Sequence, residues 1–207
     1  SHRATLLRFA TPKHSPMVRK VALEGLRGVE LTPAQSKAVL SYIEEQDMTH
    51  VVRPAIACLE GTTKWPAPAL ASLEELLTNR REERRLFALR ALVDHATPTF
   101  AKQCLKFLLN GGEEFQDAAV AALGNNPDAL PDVIKAFQNE KTLDRSRLLA
   151  RAVGVLGEHV DAESRKGLID RSAKLVQAGE PAGDVILQTV ASLGEEGAQE
   201  IVDKAIR

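Results

Sequence analysis

The residues of this 207-residue chain whose types could do chemistry are five histidines, two cysteines, one tryptophan and one arginine-rich stretch. A zinc or iron centre needs imidazole, thiolate or carboxylate groups that converge, which a sequence usually announces by close, repeated spacing. His2, His14, His50, His95 and His159 are scattered singly, and none is followed by Glu. His95 and His159 each fall three residues after a leucine that ends a helical pattern, where the helix dipole favours an imidazolium. Cys58 and Cys104 sit in AIACLE and AKQCLKFLL, so they read as buried, inert thiols rather than ligands or nucleophiles. No catalytic, cofactor or metal motif stands out. The chain is therefore read as a non-enzyme without a cofactor.

Two features point instead to a partner. NRREERR supplies Arg80, Arg81, Arg84 and Arg85, a denser group of guanidinium charges than any other part of the chain. Glu82 and Glu83 partly neutralise it, so a solvated helix start competes with an anion-binding patch. Acidic counterparts occur at Glu113, Glu114 and Asp117, and again at Glu195, Glu196, Glu200 and Asp203. Trp65, in TTKWPAP, would anchor an interface if exposed, but packing inside the protein is the leading reading.

The totals narrow the classes. Lys and Arg number 27 against 28 Asp and Glu, a net charge of −1, whereas duplex binders carry a large positive surplus. Nucleic acid is therefore not the expected partner. Hydrophobic residues make up 44%, enough for a folded core, while aromatics at 4% leave Leu, Val and Ala to fill it. No run reaches the roughly 18 apolar residues of a membrane span. SHRATLLRFA lacks the apolar core of a signal peptide. A start at Ser1-His2 without Met is expected of a piece cut from a longer protein. The compartment stays open, with the cytoplasm favoured and the periplasm allowed if a leader stood upstream.

What must position these residues is a recurring helix. Six segments end on an anchor leucine: VALEGL at Leu26, PAIACL at Leu59, FALRAL at Leu92, AAVAAL at Leu123, RAVGVL at Leu156 and QTVASL at Leu193. The intervals are 33, 33, 31, 33 and 37 residues. Four before each anchor stand Ala22, Ala55, Ala88, Ala119, Ala152 and Thr189; three before stand Leu23, Ile56, Leu89, Val120, Val153 and Val190. Eight before stand Val18, Val51, Arg84, Phe115, Leu148 and Val185. These offsets share one helical face, and a small residue at −4 lets neighbouring helices approach closely.

A second helix fits between anchors each time. Thr32-Pro33, Thr97-Pro98, Asp128 and Asp161 are read as starts, each Thr or Asp being an N-cap. APALASLEELL and GAQEIVDKAI supply two more second helices, and ATLLRFA is a lone one at the beginning. Pro54 falls beyond the first turn if Thr49 is the cap, so a kink is expected there. The units run approximately 15–46, 47–78, 79–110, 111–140, 141–179 and 180–207, with a half-unit at 1–10. All belong to a single repeat domain over 1–207, and stacked units bury one continuous core.

SPMVRKVALEGL resembles the bacterial HEAT-like repeat of the phycobilin-lyase type through Pro16, Val18, Arg19, Ala22 and Leu26. AAVAALGNN matches it at Ala119, Ala122, Leu123 and Gly124, and the ending recurs at Gly157 and Gly194. The tetratricopeptide and ankyrin signatures are absent. The resemblance implies an all-α fold, a right-handed α-solenoid of about six helix pairs. It implies a non-catalytic protein-interaction scaffold, with a relative or subunit of a bilin lyase, or an accessory domain of a larger redox or surface protein, as alternatives. No Cys-x-x-Cys-His occurs, so no haem is implied. Lesion-binding DNA-alkylation-repeat glycosylases use a basic surface and aromatics that this chain lacks. Trp65, Arg80, Arg81, Arg84 and Arg85 are the partner-binding candidates, and Arg19, with Arg85 at the matching position, is read as an inter-repeat or surface contact.

Overall fold

A computed structural model describes residues 2–206 other than 61, 63, 96 and 180–182, and every regular element among them is helical. The chain divides into two compact units, Ser1–Leu92 and Val93–Arg207. The first holds α1 (His2–Phe9), α2 (Pro16–Leu26), α3 (Pro33–Leu40), α4 (Arg53–Leu59), α5 (Ala67–Leu76) and α6 (Glu82–Ala91). The second holds α7 (Pro98–Asn110), α8 (Glu113–Gly124), α9 (Leu130–Asn139), α10 (Leu143–Val155), α11 (Ala162–Gln177) and α12 (Gly183–Ile206). α12 is two helices in one, because Gly194 breaks it at φ 71° and ψ −176°.

Local chemistry explains three of the helix starts. Thr32 forms a full capping box: its Oγ1 accepts from the Gln35 N–H, and Gln35 Oε1 accepts from the Thr32 N–H. Thr97 Oγ1 accepts from the Phe100 N–H at 3.1 Å, and Asp161 Oδ1 from the Ser164 N–H at 2.8 Å. Asp128 departs from its expected role. It lies inside a 3₁₀ turn, Pro127–Ala129, and the residue before α9 is Ala129, itself helical at φ −76° and ψ −17°. A cap needs an extended backbone just outside the helix, and the 3₁₀ entry removes that position.

Pro54 is accommodated one turn earlier than expected. The cap is Asp47 rather than Thr49, its Oδ1 accepting from the His50 N–H at 2.9 Å. Met48–Val52 then form a wide π turn, in which the Val52 N–H donates to Asp47 O, five residues back, at 3.0 Å. Pro54 therefore falls in the first turn of α4, where a missing N–H costs little. The distortion a mid-helix proline would cause is taken up by the wide turn.

All six anchor leucines are buried, Leu193 being the most accessible at 7%. The small residues at −4 are buried as well, none above 2%. At −8, Val51, Phe115 and Val185 are buried, whereas Val18 is 41% exposed. That departs from the periodic pattern because the groove between α1 and α2 stays open beside it.

Within each unit, helices of the same type pack on one another. The anchor helices α2 and α4 are in contact, as are α8, α10 and α12 in turn; the second helices α3 and α5, and α9 and α11, do likewise. Glycine makes one such approach close: a Cβ on Gly157 would lie 3.3 Å from the Ser192 Cα.

Candidate functional site

The densest cluster of charge in the interior centres on Arg19, on α2. Its guanidinium makes a two-pronged contact with Glu45, Nη1 to Oε2 at 2.7 Å and Nη2 to Oε1 at 2.6 Å. Nε donates to the Ala10 carbonyl at 2.9 Å, just past the end of α1. The guanidinium carbon also stands 4.8 Å from the centroid of the Tyr42 ring, a cation–π distance. Arg19 is 4% exposed, so its charge is tolerable only because every face of the fork meets an acceptor or a π surface. The hydrogen bond to Glu45 raises the Arg19 pKa against the opposing effect of burial. Burial pushes the Tyr42 phenol up, away from ionisation.

Glu45 is read a second time through its backbone. Arg84 Nη2 donates to the Glu45 carbonyl, with Met48 Sδ 3.9 Å away. Glu45 ends the 3₁₀ turn Ser41–Glu44, so both guanidinium groups sit at a helical C-terminus, where the dipole favours them. α1, α2, the turn after α3 and α6 are thereby tied together within the first unit. Sequence reasoning singled out Arg19 but missed Glu45 and Tyr42. The signal was faint: an arginine on an otherwise apolar helix face, with its acceptor 26 residues away.

The arginine stretch does not come together as one surface. Arg84 occupies the core position at −8 and is 6% exposed; burial and the neighbouring Arg81 draw its pKa down. Arg85 Nη1 folds back onto the carbonyls of Asn79 and Arg80 at 2.9 and 3.2 Å. Only Arg80 and Arg81 are exposed. Trp65 is 7% exposed and lies edge-on to Phe87, with ring centroids 6.5 Å apart and planes at 80°.

The histidines and cysteines are equally dispersed. His50 Nδ1 lies 3.1 Å from the Asp47 carboxylate, which also caps the helical turn. Accepting the His50 backbone N–H lowers the Asp47 pKa. His14 packs obliquely against Phe9, 5.1 Å between centroids, and His159 closes a 3₁₀ turn. Among the described residues no three His, Cys, Asp or Glu side chains converge as a metal site would require. Burial pushes the Cys58 thiol up to about 11 and the Cys104 thiol up to about 12, so neither supplies a thiolate near neutrality.

Within each compact unit, several exposed charges pair between helices of the same type. Arg53 reaches Glu83, Arg151 reaches Asp117, Arg147 reaches Asp184 and Arg165 reaches Glu200, all within 2.6–2.7 Å. Lys204 pairs with Asp170 as well. The two residues of each pair are 30–37 apart in sequence, close to the anchor interval. A groove on the second unit, between α11 and the end of α12, is lined by Arg165, Asp170, Glu200 and Lys204 from these pairs. A contrasting apolar groove on the first unit is formed by Leu6, Phe9, Met17, Val18, Val21 and Ala22. No described helix is long and apolar enough to cross a membrane. No protein-family model matches the chain, and no curated protein matches it significantly.

Proposed function

We propose that the chain is a HEAT-like repeat protein, a right-handed α-solenoid of about six helix pairs, and that it works as a non-catalytic scaffold for a protein partner. The observation that carries this reading is the coincidence of two periods. The buried anchors recur every 31–37 residues, and the ion pairs that join same-type helices span 30–37 residues. A chain whose polar groups link one helix to the next of its type is organised for stacking, and such arrays present extended surfaces rather than pockets. In this reading the second helices of each pair line the surface the partner meets, with the exposed Lys102 and Lys135 upon it.

The test is site-specific photo-crosslinking in source cells, with the reactive group placed at Lys102 or Lys135 and, as a control, at the exposed Glu114 on an anchor helix. One protein captured from the two lysine positions but not from Glu114 is the expected result. Capture from Glu114 alone would place the partner on the other surface. An absorbance shift on mixing the purified chain with a bilin chromophore would replace the scaffold reading with that of a lyase relative.

A further inference from the structure

In the second unit the outer faces of the second helices carry lysines that meet no counter-charge. Lys102 and Lys106 stand one turn apart on α7, turned away from its buried Phe100, Cys104 and Leu108. Lys135 points away from Val133 and Phe137 on α9, and Lys166 and Lys174 away from Leu168 and Ser172 on α11. All five are exposed. Among the described residues the lysines that form ion pairs are Lys20 and Lys204, so these five keep their charge for another molecule. Lys102, Lys135 and Lys166 follow the anchors Leu92, Leu123 and Leu156 by 10, 12 and 10 residues, nearly the same level of each repeat.

Packing lines these residues up. α7 packs on the 3₁₀ turn that leads into α9, and α9 packs on α11. α9 and α11 run in the same direction: Gly167 lies against Ile134 and Gln138, and further along Arg171 Nη2 donates to the Glu140 carbonyl at 2.6 Å. Lys135 and Lys166 therefore stand at one height on neighbouring helices, which pack about 8–10 Å apart. Little opposes their charge. Asp132 and Glu163 lie in the first turns of α9 and α11, where the helix dipole favours them, and Asp170 pairs with Lys204. The anchor helix α8 of the same unit has the reverse character, with Glu113, Glu114 and Asp117 and no basic residue.

We propose that this lysine row is the docking strip for an acidic, extended segment of the partner protein, whose carboxylates meet Lys102, Lys135 and Lys166 in turn. The inference rests on the scaffold reading, which puts the second helices on one surface, and it names the chemistry of the partner. A polyproline-II chain has three residues per turn and rises about 3.1 Å per residue, so acidic side chains three apart recur about every 9 Å on one face. That interval matches the spacing of packed helices. A nucleic-acid strand would call for free rings to stack on and for planar guanidinium forks at its phosphates. Of the aromatics in this unit, Phe100, Phe115 and Phe137 are buried, and Phe107 is stacked on Phe115 at 5.1 Å. The α11 arginines are occupied, Arg165 by Glu200 and Arg171 by the Glu140 carbonyl. Lone ammonium groups on flexible stems suit single carboxylates instead.

Fluorescence anisotropy tests it, with a labelled peptide of about six Glu-Pro-Pro repeats titrated with the purified chain. Saturable binding is expected at about 0.01 M salt, and weaker binding at about 0.15 M, where charges are screened. Replacing Lys102, Lys135 and Lys166 together by Gln is expected to weaken binding about tenfold. The same loss of charge at Lys13, Lys37 and Lys64, exposed lysines of the first unit, should leave it unchanged. All six positions are exposed, so circular dichroism and melting of both variants should match the parent. Absence of saturable binding, a row variant that binds like the parent, or equal weakening in the control would overturn the proposal. So would tighter binding of an oligothymidylate than of the peptide. Capture of a protein from Lys102 and Lys135 without any peptide binding would remove the acidic partner and leave the scaffold reading. Peptide binding through the row with no protein captured there would support the strip and remove the scaffold reading.

Discussion

The Arg19 guanidinium and the Glu45 carboxylate face each other through two parallel hydrogen bonds of 2.7 and 2.6 Å, 26 residues apart in the chain. This pair joins α2 to the turn after α3, and it is asymmetric: the arginine side chain is 5% exposed and the glutamate 32%. Replacing Glu45 by Gln leaves a buried positive charge without its counter-ion. Loss of a fully buried partner costs about 3–5 kcal/mol, and partial solvation of Glu45 brings the expectation down to about 2–3 kcal/mol. Urea denaturation measures it; a midpoint unchanged from the parent would mean the fork contributes nothing. Arg19→Met in the Glu45→Met background should recover part of the loss, because an apolar pair removes both charges together.

Leu92 is an anchor with 1% of its surface exposed. Leu92→Ala is expected to destabilise the protein by about 2–5 kcal/mol, from lost transfer energy and the cavity left behind. Val18→Ala, at an exposed position of the same repeat face, should change stability by less than about 0.5 kcal/mol. Equal effects from the two substitutions would contradict the burial pattern.

Asp161 ties its pKa to a helix start. The Ser164 backbone N–H, its largest influence, lowers the pKa below the ordinary 3.8. A carboxyl whose folded pKa lies below its unfolded value stabilises the fold above the unfolded pKa. That contribution is lost as pH falls from about 4 through the folded pKa. Asn caps helices as well as Asp but does not titrate in this range. Asp161→Asn should therefore match the parent near neutrality and lose less stability between about pH 4 and pH 2. Thermal melting across that interval distinguishes the two, and identical acid limbs would remove Asp161 from the account.

Both cysteines are buried and their thiols are held protonated. A disulfide reagent such as dithionitrobenzoate is expected to react slowly with the native chain at neutral pH and with two thiols once the chain is unfolded. Cys58 lines an open groove together with Arg3, Glu30 and Lys64, so it should be the faster of the two in the folded protein. Rapid native reaction at Cys104 would show that α7 opens readily.

Gly194 sits at φ 71° and ψ −176°, a conformation open to glycine and strained for any other residue. Gly194→Ala is expected to cost about 1–3 kcal/mol by the strain of that conformation. A neutral outcome in urea would show that the break in α12 relaxes without glycine.

The helical character and the spacing of the core were legible in the chain itself. A small residue and an apolar residue at fixed offsets from six leucines define one buried face, and side-chain direction on a helix follows from the 3.6-residue turn alone. The caps at Thr32, Thr97 and Asp161 were legible for the same local reason, since each involves atoms three residues apart. Asp128 was misjudged because a 3₁₀ turn, Pro127–Ala129, which follows the buried Asn126, intervenes before α9.

The sequence by itself determined what local geometry dictates: the capped starts at Thr32, Thr97 and Asp161, which stripe of most helices is apolar, and the spacing of the buried leucines. Only the tertiary structure decided which charged groups go inside. Arg84 is buried and Arg80 exposed, although they are neighbours in one basic run; Arg84 alone reaches the Glu45 carbonyl, 39 residues away. Val18 and Val51 hold the same repeat position, yet one is exposed and the other covered. Burial of a side chain depends on what lies across from it, and no pattern along one helix contains that neighbour.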